Sequence, residues 1–330
     1  MSICANLFLA LLASIGITPL YNLIKGSQFN PKGKHVYVTG GSIGLGRAVA
    51  IDLAKKGANV TIVARNEGPL KETIELMKKA AAARKEQLVQ TFHYVSADVT
   101  DKTQAIRALD EAASAHGGQV PEIIITCAGS AIPKLFVEAT TDEFEHQMKL
   151  NYFGTLYTVH EGVKRMVDAN IKGTVVFVSS AMGLIGFAGY TPYSPTKFAV
   201  RGLAENLRNE LMLYGIKTHI YYPGNMFTPG FENENKVKPL VTREIEGSGG
   251  LTPEDACKGM MKGLRKGYFS ITTDFDTSFL RVSSKGVTPM NNVGLDYILH
   301  IFAPAGAAQF MWECNYKVQN FGKKMLKKEL

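Results

Sequence analysis

Apolar residues follow two alternating patterns along this chain between positions 35 and 272. Over 35–39, 58–64, 89–96, 122–127, 174–179, 216–222 and 268–272 they form short runs rich in β-branched and aromatic side chains, as expected of strands buried on both faces. Between the runs they recur every three or four positions, which predicts helices over 47–55, 70–86, 102–116 and 141–170, the last three with acid-rich starts that suit the helix dipole. Strand and helix alternate without an internal repeat or a low-complexity linker. That order predicts an α/β fold, a Rossmann-type doubly wound parallel sheet of about seven strands with helices on both faces. The 330 residues would allow two domains, but seven strands in one run argue for a single one over 31–275.

The two ends break the alternation. Met1 to Ile24 carries no charged side chain and is long enough to span a bilayer, so residues 1–30 read as an apolar membrane anchor. It lacks the basic start and small-residue cleavage site of a signal peptide, and Lys25, Lys32 and Lys34 place the following side in the cytosol. Pro19 interrupts the stretch and leaves a helix packed on the body as the alternative. Residues 276–330 read as a membrane-associated extension with a basic tail. Within it, 293–312 is apolar but holds Asp296, His300 and Pro304, which suits an interfacial or re-entrant segment, or a dimer or substrate-entry surface, rather than a full span; a buried helix is the plain alternative. The last four residues, Lys327 to Leu330, resemble a dilysine retrieval signal of the endoplasmic reticulum, with a charged tail as the ordinary alternative.

Charge sharpens that division. Of the net +8, residues 1–34 supply three lysines and no acid, and residues 315–330 supply five lysines against one glutamate. The remainder is almost neutral, which argues against the basic stripe of a nucleic-acid binder. With 45% hydrophobic residues the chain is too apolar for disorder. Cys4, Cys127, Cys257 and Cys314 are isolated singles and no His-Glu-x-x-His occurs, so a reducing compartment and no metal site are expected.

Chemistry begins after the first strand. Thr39-Gly40-Gly41-Ser42-Ile43-Gly44-Leu45-Gly46 opens directly into a helix, and glycines there let backbone N–H groups approach a pyrophosphate at the helix's positive end. The same residues satisfy Gly-x-Ser-x-Gly, the elbow of a hydrolase with Ser42 as nucleophile, although an elbow normally follows later strands. The second strand ends on Arg65, where an NAD site would place an acid; an arginine accommodates a 2′-phosphate, with Ser42 and Arg47 nearby to assist, so NADPH is the expected cofactor. Asp98 and Val99, after the third strand, are placed for the adenine, with helix capping as the other role for Asp98.

Tyr193 and Lys197 stand four residues apart, on one face of a helix. A nearby ammonium stabilises a phenolate and turns a tyrosine into a usable acid or base, and Ser180, 13 residues upstream, is close enough in sequence to hold a carbonyl beside it. In this order the motifs resemble the short-chain dehydrogenase/reductase family over roughly residues 33–273. The resemblance implies Asn151, Ser180, Tyr193 and Lys197 as catalytic residues, with Asn151 supporting a proton-relay water. It implies cofactor contacts from Gly40, Ser42, Ile43, Gly44 and Gly46, from Ala128 and Gly129, from Pro223, Gly224 and Thr228, and from Tyr193 and Lys197 themselves. The chain departs from the family pattern at Thr126, where an asparagine is usual, and at Pro195, which is tolerable if it falls in the first helical turn.

The blocks 93–100, 149–165 and 193–211 are similar to the branch of the family that reduces 3-ketodihydrosphingosine (3-ketosphinganine). That branch implies NADPH, a lipid-like keto substrate, the cytosolic face of the endoplasmic-reticulum membrane, and pairing as a homodimer or homotetramer. Reductases of very-long-chain 3-ketoacyl-CoA, steroids or retinal, and a non-catalytic NADP-binding regulator, are the alternatives. Residues 225–250 read as a substrate lid. Its Glu232, Glu234 and Lys236 are expected to be solvated, an acidic residue facing a substrate amine being the other role for them.

Overall fold

The computed structural model describes residues 29–84, 88–284 and 286–326. Its centre is a seven-stranded sheet: β1 His35–Thr39, β2 Asn59–Ala64, β3 Phe92–Ser96, β4 Ile123–Thr126, β5 Thr174–Val178, β6 Lys217–Tyr221 and β7 Ser270–Ile271. The strands lie in the order β3-β2-β1-β4-β5-β6-β7 and every pairing is parallel. Val38 stands opposite Ile62 on one side and Ile125 on the other, and Ile125 opposite Val176, so equivalent apolar positions line up across the sheet.

Alternate strand residues feed two cores. Val38, Ile62, Ile125 and Val176 face helices α1 (Gly44–Lys55) and α2 (Glu67–Ala82), whose Leu53, Leu70 and Met77 are fully buried. Tyr37, Val63, Ile124 and Phe177 face the other way, against Leu109 of α3 (Lys102–Ala115) and, further along the chain, Val159, Met166 and Val200. A sheet covered on both sides needs strands apolar at every position, which is why the sequence shows runs there rather than alternation.

The predicted helix over 141–170 is divided. A capping box at Thr140 and Glu143 starts α4 (Thr141–Met148), a π turn follows over Lys149–Phe153, and α5 (Gly154–Asp168) completes it. The seven strands stand where expected, with shorter ends: residues 89–91 lie outside β3, and only Ser270 and Ile271 of 268–272 pair in β7. Edge strands carry fewer partners, so their terminal residues leave the ladder first. Beyond β5 come α6 (Ser194–Glu210), α7 (Pro229–Val237), α8 (Leu240–Glu246), α9 (Pro253–Arg265), α10 (Phe275–Ser283) and α11 (Val293–Leu326).

The stretch 293–312 is the first part of α11, a continuous 34-residue helix that passes through Pro304 without the reversal a re-entrant segment needs. The buried-helix alternative also fails, since Ile301, Phe302 and Trp312 are more than 60% exposed. The helix is anchored at its start: Asp296 is buried and accepts two hydrogen bonds from Arg281 of α10, at 2.6 and 3.0 Å, and one from the Asn291 backbone at 2.9 Å. Further along, Cys314 and Phe310 pack on Val241 and Ile245 of α8, and Lys317 donates to the Glu244 carbonyl at 2.7 Å. Among the described residues no helix is long and apolar enough to cross a membrane. The apolar stretch Met1 to Ile24 and the dilysine tail lie outside the described residues.

Candidate active site

The sheet order reverses direction between β1 and β4, and a cleft of about 620 Å³ opens there at the carboxyl ends of the strands. Every cofactor and catalytic residue expected from the sequence lines it, except Asn151 and the assisting Arg47. One end is made of backbone. Gly40 and Gly44 adopt left-handed φ of 67° and 55°, and a Cβ on Gly46 would lie 2.1 Å from the Gly40 carbonyl oxygen. Only glycine permits that approach. The N-cap of α1, Ile43, offers no side-chain hydrogen bond and no acid occupies the first turn, so the helix presents free N–H groups to the cleft. A pyrophosphate fits that end chemically.

Around the loop the other expected contacts are in place. Thr39 ties β1 to β4: its carbonyl accepts from Cys127 N at 3.1 Å and its hydroxyl from Ala128 N at 3.2 Å. Arg65 is exposed at the rim, with its carbonyl held by the Ser96 hydroxyl at 2.8 Å. Arg47 is committed elsewhere, donating to Ser42 O at 2.8 Å and to the Glu72 carboxylate at 2.7 Å, so it braces the loop against α2 instead of assisting Arg65. The Asp98 carboxylate accepts from Thr100 N at 2.9 Å, while capping of α3 falls to Asp101. Thr228 caps α7, and its methyl would lie 3.2 Å from a Cβ on Gly44, which brings the start of the lid's first helix against the glycine loop.

The middle of the cleft holds the reacting groups. Tyr193 is the N-cap of α6 and Pro195 falls within the first turn, where its missing N–H costs nothing. One turn on, the Lys197 ammonium lies 5.7 Å from the Tyr193 ring centre and donates to the Val178 carbonyl at 3.2 Å. Burial lowers the Lys197 ammonium to about 8. Burial holds the Tyr193 phenol well above its ordinary value, the Ser180 hydroxyl works against that by hydrogen bonding, and the Glu234 and Glu246 carboxylates add to it. The phenol is therefore stored in its protonated form.

Asn151 sits behind the wall, fully buried in the π turn. Its amide donates to Ser130 O at 3.0 Å and to the Thr196 hydroxyl at 3.1 Å, and accepts from Ser130 N at 3.0 Å. It is a positioning residue that ties the strand β4 exit to the start of α6. A Cβ on Gly129 would lie 2.8 Å from Asn151 Oδ1 and 3.4 Å from Lys197 Nζ, so Asn151 and Lys197 meet across that glycine. The hydroxyl of Thr126 is buried without a partner, so it does not replace the usual asparagine.

The lid differs most from expectation. Residues 225–250 are not an open loop: α7 and α8 fill them, and a bridge between Met226 and Leu251 closes the base. Glu232 and Lys236 are exposed as expected. Glu234 is not: its side chain is 14% exposed, that of Glu246 10%, and that of Lys238 wholly buried between them. Helical spacing explains the difference, because positions 234 and 238 fall on the inner face of α7 and 232 and 236 on the outer. Tyr190 donates its hydroxyl toward both carboxylates, and its ring centre is 5.9 Å from that of Tyr193.

With this geometry in view, the short chain dehydrogenase family profile matches residues 34–239. The chain belongs to the short-chain dehydrogenase/reductase family. Within that family it is 38% identical over 91% of its length, and 89% of the relative's, to a protein named 3-ketodihydrosphingosine reductase TSC10 from Cryptococcus neoformans. It is 35% identical to the 3-ketodihydrosphingosine reductase of Dictyostelium discoideum, covering 88% of this chain and 89% of that one. The 3-dehydrosphinganine reductase of Danio rerio is 35% identical, over 84% and 82% of the two chains. Among solved structures, a short-chain dehydrogenase/reductase from Burkholderia phymatum in complex with NAD superposes with a TM-score of 0.67 at 21% identity, over 79% of this chain and 99% of that one. That likeness carries the Rossmann-type fold.

Proposed function

We propose that this member of the family reduces the 3-keto group of 3-ketodihydrosphingosine to the alcohol of dihydrosphingosine, with NADPH as reductant. The observation that carries the reading is the convergence of Ser180, Tyr193 and Lys197 in one cleft between a pyrophosphate-ready glycine loop and a helical lid, in a chain whose relatives bear that enzyme's name.

The bound dinucleotide supplies the hydride. The Ser180 hydroxyl donates to the substrate oxygen and fixes it beside Tyr193. Tyr193, kept protonated by burial and two nearby carboxylates, gives its proton to that oxygen as the carbonyl becomes an alcohol. The Lys197 ammonium stabilises the phenolate that remains, at a distance where a single positive charge in a buried site counts strongly. Asn151 holds the wall behind Lys197 in place for the proton's return. Arg65 faces the ribose end of the loop, where a 2′-phosphate needs a cation, and this favours NADPH.

The organisation that goes with this reading is an anchor over 1–30, a reductase domain over 31–275 with its lid at 225–250, and an extension over 276–330, on the cytosolic face of the endoplasmic reticulum. The exposed Ile301, Phe302, Trp312 and Tyr316 of α11, with Lys323 beyond, support a membrane-facing surface. A glycosylation sequon introduced over positions 248–250, in the loop that follows α8, is expected to remain unmodified in cells, and its glycosylation contradicts the cytosolic placement.

Purified protein in detergent, supplied with NADPH, is expected to form dihydrosphingosine from 3-ketodihydrosphingosine in preference to products from a 3-ketoacyl-CoA or a steroid ketone. Tyr193→Phe is expected to lower kcat by about 10²- to 10⁴-fold. Turnover that survives this change removes Tyr193 from the reaction, and a preference for another ketone reassigns the substrate.

A further inference from the structure

The buried charges of the lid neither carry the hydride nor donate the proton, yet two of them line the cleft that holds Tyr193. Lys238 Nζ lies 3.0 Å from Glu234, also pairs with Glu246, and stands 4.5 Å from the Phe231 ring centre. Two carboxylates and one ammonium leave one negative charge uncompensated in a site that lines the same cleft as Tyr193. Burial and the two carboxylates raise the Tyr190 phenol far above its ordinary value, so it stays neutral and adds no positive charge.

The hydrogen bonds hold the pair in place without removing that charge. The Tyr190 oxygen is within hydrogen-bonding distance of Glu234 Oε1 and lies 2.8 Å from Glu246 Oε1, yet a phenol has one hydrogen. Lys238 reaches Glu234 Oε1 and Glu246 Oε2, so with one phenol hydrogen each of these oxygens is served and the deficit of the pair is one of charge. The pair lacks one cation, and Tyr190, which bonds to it, stands beside the ring that protonates the ketone.

We propose that Glu234 and Glu246 receive a protonated primary amine on the carbon next to the substrate's ketone. The inference rests on the reductase reading above, in which the substrate is a 2-amino-3-ketone. Held between the pair and Tyr193, the amine and the keto oxygen fix the head of the lipid in one orientation. Its chain is left to the apolar side of the lid, where Phe227 and Val237 are half-exposed or more. Arrival of the ammonium also balances the one negative charge left on the pair, which opposes loss of the Tyr193 proton, so the proton is released most readily with the correct substrate in place. Lys238 keeps two carboxylates together in the empty site, where they would otherwise repel.

The test compares 3-ketodihydrosphingosine with the des-amino ketone of the same chain length, using purified full-length protein and NADPH. The wild type is expected to favour the amine by about tenfold or more in kcat/KM, the scale of one buried charge-assisted hydrogen bond. Glu246→Gln and Glu234→Gln are each expected to narrow the preference to about threefold or less, mainly through a higher KM for the amine. An equal fall on both ketones would mean that the pair only braces the lid, and overturns the proposal. Wild-type inhibition gives a readout that needs no variant: a long-chain primary alkylamine is expected to compete with the aminoketone at least about tenfold better than the matching alcohol. Equal inhibition by the two, or a wild type that treats both ketones alike, overturns the proposal and leaves the reductase reading intact. A wild type that reduces neither ketone overturns that reading instead.

Discussion

The two ends of the cleft are built from different materials. At the glycine loop the surface is backbone: left-handed glycines, open helix N–H groups and a carbonyl that no Cβ can approach. At the lid it is side chain: a lysine, two glutamates and a tyrosine brought together from positions 190, 234, 238 and 246. A backbone surface recognises a pyrophosphate common to many enzymes, and its cost is confined to a few residues in one short motif. A side-chain surface can be rewritten one residue at a time, so it is where substrate preference is expected to reside.

Substitutions that exchange these materials should separate the two functions. Gly46→Val sets side-chain atoms against the Gly40 carbonyl, and is expected to abolish measurable NADPH binding by fluorescence titration; retained binding would mean the loop does not hold the pyrophosphate. Lys238→Met keeps the stem and removes the charge, leaving two buried carboxylates unneutralised. Breaking one partner of a buried pair costs about 3–5 kcal/mol, so its melting temperature is expected to drop by several degrees while NADPH binding persists. An unchanged melting temperature would show that the lid charges are solvated after all. The smallest effect tests the rim between the ends: Arg65→Glu is expected to lower the NADPH-to-NADH ratio of kcat/KM by about tenfold, through loss of one charged contact, and an unmoved ratio would discharge Arg65 from cofactor choice.

The same contrast explains what could be read before the fold was known. The glycine loop, Arg65, Ser180 and the Tyr193–Lys197 spacing are local, and local patterns survive in one dimension. The seven strands were legible because a sheet buried on both faces forces continuous apolar runs. Three features were not. The π turn that buries Asn151 was not legible, since apolar spacing over 141–170 reads as one helix and a single five-residue turn is too short to set a period of its own. Arg47 sits beside the cofactor in sequence, but Glu72 of α2 claims it through a contact 25 positions away. The lid looked solvated because Glu232, Glu234 and Lys236 read singly as loop charge, and Lys238 and Glu246 drew no reading; only the i, i+4 relation of Glu234 and Lys238 hints at a shared inner face.

The anchoring of α11 has a mechanical consequence. The helix is pinned near its start by the Arg281–Asp296 pair, and about 20 residues further on it rests against α8, the element that ends at Glu246. Its exposed aromatic side and the wall of the cleft that carries Glu246 therefore belong to one packed body, joined at two well-separated points.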